Sequence, residues 1–344
     1  MHRPLSTNPF TRRSLLTGIL AASGTAALAA CGAEESPASG GPSSSAPAGP
    51  WTFTDDVGRT VELDAVPTRI AGLTDQVAAM WNLGIVPVAA FGYTPMKDDV
   101  ALANKPIEDV VETGSGYGEI DLELLAAAAP DLIVTTVYPA DASGDIPEGT
   151  LLYGFKDEQQ LEKIEKIAPV IAIAQRGSAV DVIERNVELV RSLGIDTESG
   201  DIAATREDFA AAGKELTEAA RSGLTVMAIA AYTAEGMYVA KAPDDPALRY
   251  YTELGLEYAE IGGDGYYWET ISWENADTYQ TDLIINSLRA MTIDELQEQP
   301  TFARLPAAKA DQVFGWKFQS MDYGSQASYM RELAELLTDS ERVT

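Results

Sequence analysis

The chain has 344 residues with 53 acidic and 24 basic side chains, a formal net charge of −29, one histidine and one cysteine. This excess of acid argues against nucleic acid as a partner, because phosphate neutralisation needs a basic face. A single cysteine also means that no intramolecular disulfide can form.

The first thirty-one residues predict an export signal with lipid attachment. Arg12 and Arg13 precede an apolar segment of small residues that is too short to span a bilayer, which is typical of a twin-arginine (Tat) signal. The segment ends in the string L-A-A-C, which resembles a bacterial lipoprotein lipobox. We therefore expect residues 1–30 to be a signal peptide and Cys31 to carry more than one acyl chain at the outer face of the cytoplasmic membrane. The alternative is a plain secretory signal with an incidental cysteine.

Loss of residues 1–30 would narrow the chemistry open to the mature chain. It removes three arginines and no acid, so the net charge changes from −29 to −32, and it removes His2, the only histidine. A Ser-His-Asp triad, a Cys-His pair and metal sites built on imidazole or thiolate are then excluded. No glycine-rich phosphate-binding motif occurs. We expect no catalytic residue and no metal held directly by the protein.

Residues 31–50 predict a flexible tether, because they are rich in Ser, Pro, Ala and Gly. The fold should begin near Trp51 with a hairpin formed by residues 51–54 and 59–63. Apolar runs then alternate with helical patterns, which indicates a parallel sheet with right-handed crossovers in residues 51–178. The predicted strands are Arg69–Leu73, Val86–Phe91, Asp131–Thr136 and Val170–Ala174, and the predicted helices are Gln76–Leu83, Leu122–Ala129 and Gln159–Ile167.

Residues 179–222 contain no strand pattern and predict a helical spine. Apolar residues keep helical spacing from Val180 to Leu193, and a second helix is expected from about Glu198 to Ala220, with Gly194 separating the two. The alternation of strands and helices resumes in residues 223–344. Its predicted strands are Leu224–Ala230, Asp282–Asn286 and Gln312–Phe314, and its predicted helices are Pro246–Leu254, Ile293–Gln299 and Ser325–Leu337. The chain therefore reads as lobe, spine, lobe.

An internal repeat indicates that the two lobes are homologous. The string I-D-L-E at residues 120–123, followed by D-L-I at 131–133, recurs 151 residues later as I-S-W-E and D-L-I. Each copy places a glutamate, Glu123 or Glu274, in the first turn of a predicted helix that leads into a buried strand. The alternative is a chance recurrence in which the helix dipole favours each glutamate.

Several strings together resemble the iron-chelate and cobalamin class of ABC transporter substrate-binding proteins. The resemblance covers most of residues 51–340 and is stronger in the first lobe. The matching strings are Asp56–Val61, Val66–Ile70, Leu122-Glu123, Ala129–Ile133, Leu161–Ile164 and Ile167–Val170.

This resemblance implies a class III, helical-spine protein that is not an enzyme. Two Rossmann-like lobes with parallel-rich sheets would be joined by the spine, with the ligand in a cleft between them. A monomer would deliver its ligand to an ABC permease dimer with its ATPase. In this family the glutamates that match Glu123 and Glu274 seat each lobe against arginines of the permease.

The loops beyond the carboxyl ends of the strands predict the ligand site. Aromatic side chains recur there and suit a bulky, partly apolar chelate, although core packing is the alternative for any one of them. Arg289, which follows a predicted strand, could donate hydrogen bonds to chelate oxygens, or could instead pair with a nearby acid at the surface. The predicted ligand-binding residues are Tyr93, Tyr117, Tyr138, Tyr232, Tyr238, Tyr267, Trp268, Arg289, Trp316 and Phe318.

Few cations are available to the cleft, and this predicts the charge of the ligand. The candidates are Lys97, Lys241, Arg289 and Lys317, whereas tri-catecholate and citrate complexes of iron are anionic and call for several. We therefore expect a ferric siderophore of the hydroxamate type, with the iron already wrapped in its organic ligand, and no cofactor besides the lipid.

Three other ligands or functions stay open from the sequence. Cobalamin or haem could bind the same fold, although haem would need a Tyr or Met ligand here. Bare Ca, Mg or Mn could be bound by carboxylates and carbonyls, but no calcium-loop motif supports this. A cell-surface hydrolase would depend on paired carboxylates, and none stand out in the cleft loops.

Overall fold

The computed structural model describes residues 49–198, 200–233, 236–317 and 320–344. The predicted signal peptide, Cys31, most of the tether and Phe318 lie outside the described residues. The described residues lie within one compact unit. Within the described residues, no helix is both long enough and apolar enough to cross a membrane.

The fold begins with the predicted hairpin, which is confirmed. Strand β1 (Trp51–Thr54) pairs antiparallel with β2 (Thr60–Leu63). Alternate side chains of β1 are buried, as a two-residue period requires when one face of a strand covers a core. The buried Asp55 carboxylate accepts the backbone N–H of Arg59 at 2.8 Å and that of Ala172 at 3.2 Å, which fastens the turn to the first sheet.

The first lobe carries a sheet of five parallel strands in the order β5-β4-β3-β6-β7. The sequence did not predict β5, because its V-E-T-G string is short and half polar. The strands are β3 (Ile70–Leu73), β4 (Ala89–Phe91), β5 (Val111–Gly114), β6 (Leu132–Val137) and β7 (Val170–Ala174), and the helices are α1 (Thr74–Asn82), α2 (Leu122–Ala127) and α3 (Glu158–Ile164). Because the strands are parallel, their carboxyl ends meet at one edge.

Two helices, α4 (Ala179–Ser192) and α5 (Gly200–Ala220), follow the first lobe. The chain turns after α4 at Gly194, whose φ of 93° lies in the left-handed region that glycine adopts without steric cost. The Asp181 carboxylate accepts the Ser178 backbone N–H at 2.8 Å and caps the start of α4. The predicted pair of helices with a break at this glycine is confirmed.

The second lobe carries a mixed sheet in the order β11-β9-β8-β12-β13, with β10 also beside β8. Strand β9 runs antiparallel to β8 and β11 antiparallel to β9, whereas the other pairs are parallel. The strands are β8 (Thr225–Thr233), β9 (Gly236–Ala240), β10 (Glu257–Tyr258), β11 (Trp268–Ser272), β12 (Leu283–Ser287) and β13 (Val313–Trp316), and the helices are α6 (Pro246–Glu253), α7 (Ile293–Gln297), α8 (Pro306–Lys309) and α9 (Tyr323–Asp339).

Two sequence-based expectations for the second lobe need correction. Tyr232 and Tyr238, expected in a loop beyond a strand, lie in the antiparallel strands β8 and β9, because their backbone finds partners that local periodicity does not reveal. The helix expected at Glu274 is a short 3-10 helix, Trp273–Thr278, with a kink at Asn275, rather than an α-helix.

The repeat is visible in the local structure of both lobes. The backbone N–H of Asp131 donates to the Arg69 carbonyl at 2.9 Å, and its carboxylate accepts the Thr68 N–H at 2.9 Å. The N–H of Asp282 donates to the Thr225 carbonyl at 3.0 Å, and its carboxylate accepts the Thr225 N–H at 2.9 Å. In each lobe an aspartate thus joins the starts of two neighbouring strands.

One apolar core extends from the first sheet to the second. It contains side chains from β6, α4, α5, β8 and α9, including Val134, Ile183, Leu216, Val226 and Met330. Two further clusters cover the opposite faces of the two sheets. The sheets therefore share buried apolar surface with the spine, and this burial opposes wide separation of the lobes.

Candidate ligand-binding cleft

A cleft with a cavity volume of about 850 Å³ lies between the two lobes. Side chains reach it from the ends of β3, β4 and β6 in the first lobe, and from β8, β9, the start of β11 and the end of β12 in the second. The described residues that line it are Asp75, Tyr93, Thr94, Tyr117, Tyr138, Tyr153, Tyr232, Tyr238, Tyr266, Tyr267, Trp268 and Arg289.

Eight of the ten predicted ligand-binding residues line this cleft. Trp316 does not: its side chain is buried behind Trp268, with ring centroids 6.2 Å apart, and it borders a smaller cavity beside α9. Its position at the end of β13 suggested the cleft, but alternate side chains of a strand face opposite ways. Phe318 lies outside the described residues. Ligand contact by the eight lining residues stays a prediction.

Four lining residues were not predicted as site residues: Asp75, Thr94, Tyr153 and Tyr266. Asp75 and Tyr266 fall within loops that the sequence already placed beside the cleft, at residues 74–76 and 265–268, and Thr94 directly follows Tyr93, so the strand-end pattern could have found these three. Tyr153 carried no such signal, because it lies well beyond β6 in sequence. Its backbone N–H donates to the Thr136 carbonyl at 2.9 Å, and this bond returns the chain to the end of β6.

The aromatic rings of the first lobe form a continuous series. Tyr117 stacks on Tyr93 with ring centroids 6.1 Å apart, Tyr93 contacts Tyr153 at 5.9 Å, and Tyr153 contacts Tyr138 at 4.8 Å. Tyr138 then meets Tyr267 of the second lobe edge to face, at 5.6 Å and 88°. Aromatic pairs favour such geometries, so the rings support one another as a preformed wall.

The series continues across the second lobe. Tyr267 contacts Trp268 at 5.0 Å, Trp268 contacts Tyr238 at 6.3 Å, and Tyr238 contacts Tyr232 at 6.2 Å. Tyr267 has a φ of 66°, a conformation that costs a residue with a side chain about 1–3 kcal/mol. The Tyr267 hydroxyl donates to the buried Asp245 carboxylate, and this contact helps to hold the ring in place.

Five buried or half-buried tyrosines of the cleft are neutral phenols at neutral pH. Burial raises the pKa of Tyr93, Tyr138 and Tyr267 well above the ordinary value of 10.0. Burial also raises the pKa of Tyr153 and Tyr266 to about 12. These hydroxyl groups therefore keep their protons, and those other than Tyr267, whose proton is given to Asp245, can donate hydrogen bonds to a ligand oxygen.

Arg289 is buried at the floor of the cleft and is paired with two acids of the first lobe. Its Nη1 donates to Asp75 Oδ2 at 3.0 Å, and its Nη2 donates to Asp99 Oδ1 at 2.7 Å. The guanidinium carbon lies 5.0 Å from the centre of the Tyr93 ring. Pairing with an acid was one of the two roles predicted for Arg289, but the pair is buried rather than at the surface, with 8% of the Arg289 side chain exposed.

Burial and the paired charges act in opposite directions on the pKa of Arg289 and on that of Asp75. Burial lowers the pKa of the Arg289 guanidinium, but the Asp75 and Asp99 carboxylates outweigh it, so the pKa is raised overall. Burial raises the pKa of the Asp75 carboxyl; the positive charge of Arg289 opposes this rise and the neighbouring Asp99 adds to it, so that the pKa is raised overall. The positive charge of Arg289 is thus offset by two carboxylates.

The other predicted cleft cations point elsewhere. Lys241 donates from Nζ to the carbonyl oxygens of Gly263 at 2.8 Å and Gly265 at 2.5 Å. Lys317 pairs with Glu332 at 2.6 Å, and Lys97 is exposed. Among the described residues that line the cleft, Arg289 is the one cation.

The chain belongs to the family described as periplasmic binding protein, whose model matches residues 70–320. Its solved relatives include ferric-siderophore binding proteins, and the predicted family and class III fold of two lobes joined by helices are confirmed. The family consists of extracytoplasmic, non-catalytic substrate-binding proteins of transport systems.

One solved structure is matched along the whole length of its own chain. This is DesE, a ferric-siderophore receptor protein from Streptomyces coelicolor, with 30% identity, a TM-score of 0.75, and coverage of 86% of this chain and 100% of that chain.

Two more distant structures share the fold. FeuA from Bacillus subtilis, a triscatecholate siderophore binding protein complexed with ferri-bacillibactin, has 18% identity, a TM-score of 0.62 and coverage of 83% and 98%. FhuD2 from Staphylococcus aureus with bound ferrioxamine B has 18% identity, a TM-score of 0.53 and coverage of 78% and 98%. A search of curated proteins found no match.

Proposed function

We propose that this protein captures a ferric siderophore of the hydroxamate type outside the cytoplasmic membrane and delivers it to an ABC importer. The observation that carries the proposal is the make-up of the cleft: a continuous aromatic wall, neutral phenols, and one cation that two carboxylates already offset. The similarity to DesE, a ferric-siderophore receptor, supports the ligand class.

The volume of the cleft supports a bulky ligand. About 850 Å³ is near the upper end of the range of about 300–1,000 Å³ that is usual for small-molecule sites. A bare metal ion would leave most of this space empty. Within the described part of the chain, no three acidic, histidine or cysteine side chains form a group that could hold a metal ion.

The charge of the cleft favours a hydroxamate over a catecholate. Three singly charged hydroxamates cancel the charge of the ferric ion, whereas three doubly charged catecholates leave a trianion. A trianion calls for free arginines or lysines. Arg289 is committed to Asp75 and Asp99, so a neutral or cationic chelate fits the described residues better.

The protonated phenols suit a chelate rather than haem or free iron. A phenol donates a hydrogen bond to a hydroxamate oxygen without losing its proton, while its ring packs on the apolar spacers of the chelate. Iron ligation by tyrosine would require a phenolate, and burial raises the pKa of Tyr93, Tyr138 and Tyr267. These three tyrosines are therefore poorly suited to bind the iron of haem or free iron directly.

Delivery to the permease is proposed to use Glu123 and Glu274. Both side chains are exposed, and both lie in the first turn of a helical segment at equivalent positions of the two lobes. A two-fold permease dimer would offer each glutamate an equivalent arginine. We further propose that a single copy, held to the membrane by lipid on Cys31, presents both contacts.

Titration with iron chelates tests the proposed ligand. Ferrioxamine B should quench tryptophan fluorescence with micromolar or tighter Kd, because Trp268 lines the cleft. At one hundred times its Kd it should stabilise the fold by about 2.7 kcal/mol. Trp268→Phe should remove part of the quenching, whereas Trp273→Phe, which alters a buried ring packed on Phe302, should not. Unchanged fluorescence and Tm with ferrioxamine B would refute the proposal, and a response to cobalamin or haem alone would favour those ligands.

A further inference from the structure

We propose that Asp75 is a specificity-determining residue, which occupies the guanidinium of Arg289 so that the cleft rejects anionic ferric chelates. This inference rests on the proposed function and deepens it. It concerns how the site discriminates between chelates that have similar size and the same metal.

The two acids hold Arg289 in different ways. Asp75 lies in the first turn of α1 and lines the cleft together with Arg289. Asp99 is fully buried, is absent from the described cleft lining, and accepts the Ala101 N–H at 2.9 Å as well as Arg289. Asp99 therefore positions the guanidinium from within the first lobe, while Asp75 competes with any ligand for it.

An arginine at this place would otherwise favour anions. A guanidinium donates two parallel hydrogen bonds to carboxylate or catecholate oxygens, and a buried one does so strongly. Asp75 already receives bonds from both Nη1 and Nη2, which is the arrangement an anionic ligand would need. Asp75 also places its carboxyl oxygens in the cleft lining, where they would face the oxygens of an anionic chelate.

Replacement of the Asp75 carboxyl by an amide should shift the preference of the cleft towards anionic chelates. In Asp75→Asn, Arg289 keeps Asp99 as its partner at 2.7 Å, so no buried charge is left unpaired and the variant should fold. The Nη1 group then faces the cleft with a weaker acceptor beside it. We expect the ratio of affinities for ferri-bacillibactin and ferrioxamine B to shift by about tenfold or more in favour of the catecholate.

The experiment measures both affinities by fluorescence in wild-type protein, Asp75→Asn and a matched control. The control is Asp98→Asn, which removes the same charge from an exposed side chain next to Asp99 in the sequence. A third variant, Asp75→Asn/Asp99→Asn/Arg289→Gln, has no charge in the cluster and tests whether the gain depends on the guanidinium. We expect the ratio to shift in Asp75→Asn alone of these three variants.

The possible results separate failure of the specificity role of Asp75 from failure of the proposed function. An unshifted ratio in Asp75→Asn, an equal shift in Asp98→Asn, or a gain that persists without Arg289 would overturn the specificity role while ferrioxamine B binding by wild-type protein still supports the proposed function. Wild-type protein that binds neither chelate would overturn both. Wild-type protein that prefers the catecholate would also overturn both.

Discussion

Replacement of Arg289 by methionine should lower the free energy of unfolding by about 3–5 kcal/mol at neutral pH, the usual cost of removing one partner of a buried ion pair. The side chains are 8% exposed for Arg289, 16% for Asp75 and 0% for Asp99, so water cannot replace the lost partner well. Since folded proteins are commonly stable by about 5–15 kcal/mol, this loss is a large part of the total.

The loss of unfolding free energy in Arg289→Met should depend on pH. Without the guanidinium, nothing opposes the rise in the folded-state pKa of Asp75 that burial and the neighbouring Asp99 cause. A carboxyl with a raised folded-state pKa contributes its full stability below the unfolded pKa of about 4, and loses it as the pH rises. The gap between variant and wild type should therefore be widest at neutral pH and narrow as the pH falls towards about 4.5.

Urea unfolding followed by tryptophan fluorescence measures this gap. With a slope of about 3 kcal/mol per molar urea, a loss of 3–5 kcal/mol moves the midpoint by roughly 1 M or more. Lys317→Met is the matched control, because its pair with Glu332 is partly exposed and should be worth less than about 1 kcal/mol. The reasoning would be refuted if Arg289→Met lowered the free energy of unfolding by less than about 1 kcal/mol, or by the same amount at neutral pH and at about pH 4.5.

Three further predictions concern acid stability, anchoring and docking. Burial raises the pKa of Asp282, but backbone N–H donors outweigh it and lower the pKa to about 2. The free energy of unfolding of wild-type protein should therefore fall by roughly 2 kcal/mol as the pH falls from about 4 to 2. Urea titrations of Asp282→Asn should not show this fall. Cys31→Ser should release the protein from washed membranes with unchanged chelate affinity; retention would contradict lipid attachment. Glu123→Ala with Glu274→Ala should impair uptake of iron chelate by cells but not binding in solution, with milder single variants; normal uptake, or lost binding, would contradict the docking role.

Local patterns in the sequence were enough for the elements whose signal is periodic. Four of the five parallel strands of the first lobe are short apolar runs, and such runs are typical of strands buried on both faces; β5 is the exception. The spine follows from helical spacing between Val180 and Leu193. Because parallel strands end at one edge, the same reasoning also placed Tyr93, Tyr138 and most of the other cleft aromatics together.

Only the tertiary structure decided which way particular side chains face and which partners they find. Trp316 lies at a strand end like the cleft aromatics but is buried behind Trp268, since a shift of one residue turns a strand side chain to the other face. Strands β9 and β11 pair with each other across about thirty residues of sequence, and neither has a strong local pattern.

The charge of the cleft is the clearest case of this division. Composition alone indicated a shortage of cations, and Arg289 stood out by its position after a strand. Its partners, however, lie 214 and 190 residues away, at Asp75 and Asp99. A chain with 53 acids offers many possible partners, and no periodicity distinguishes them. Packing of the two lobes on the shared spine selects these two acids and buries them, and burial strengthens the pairing.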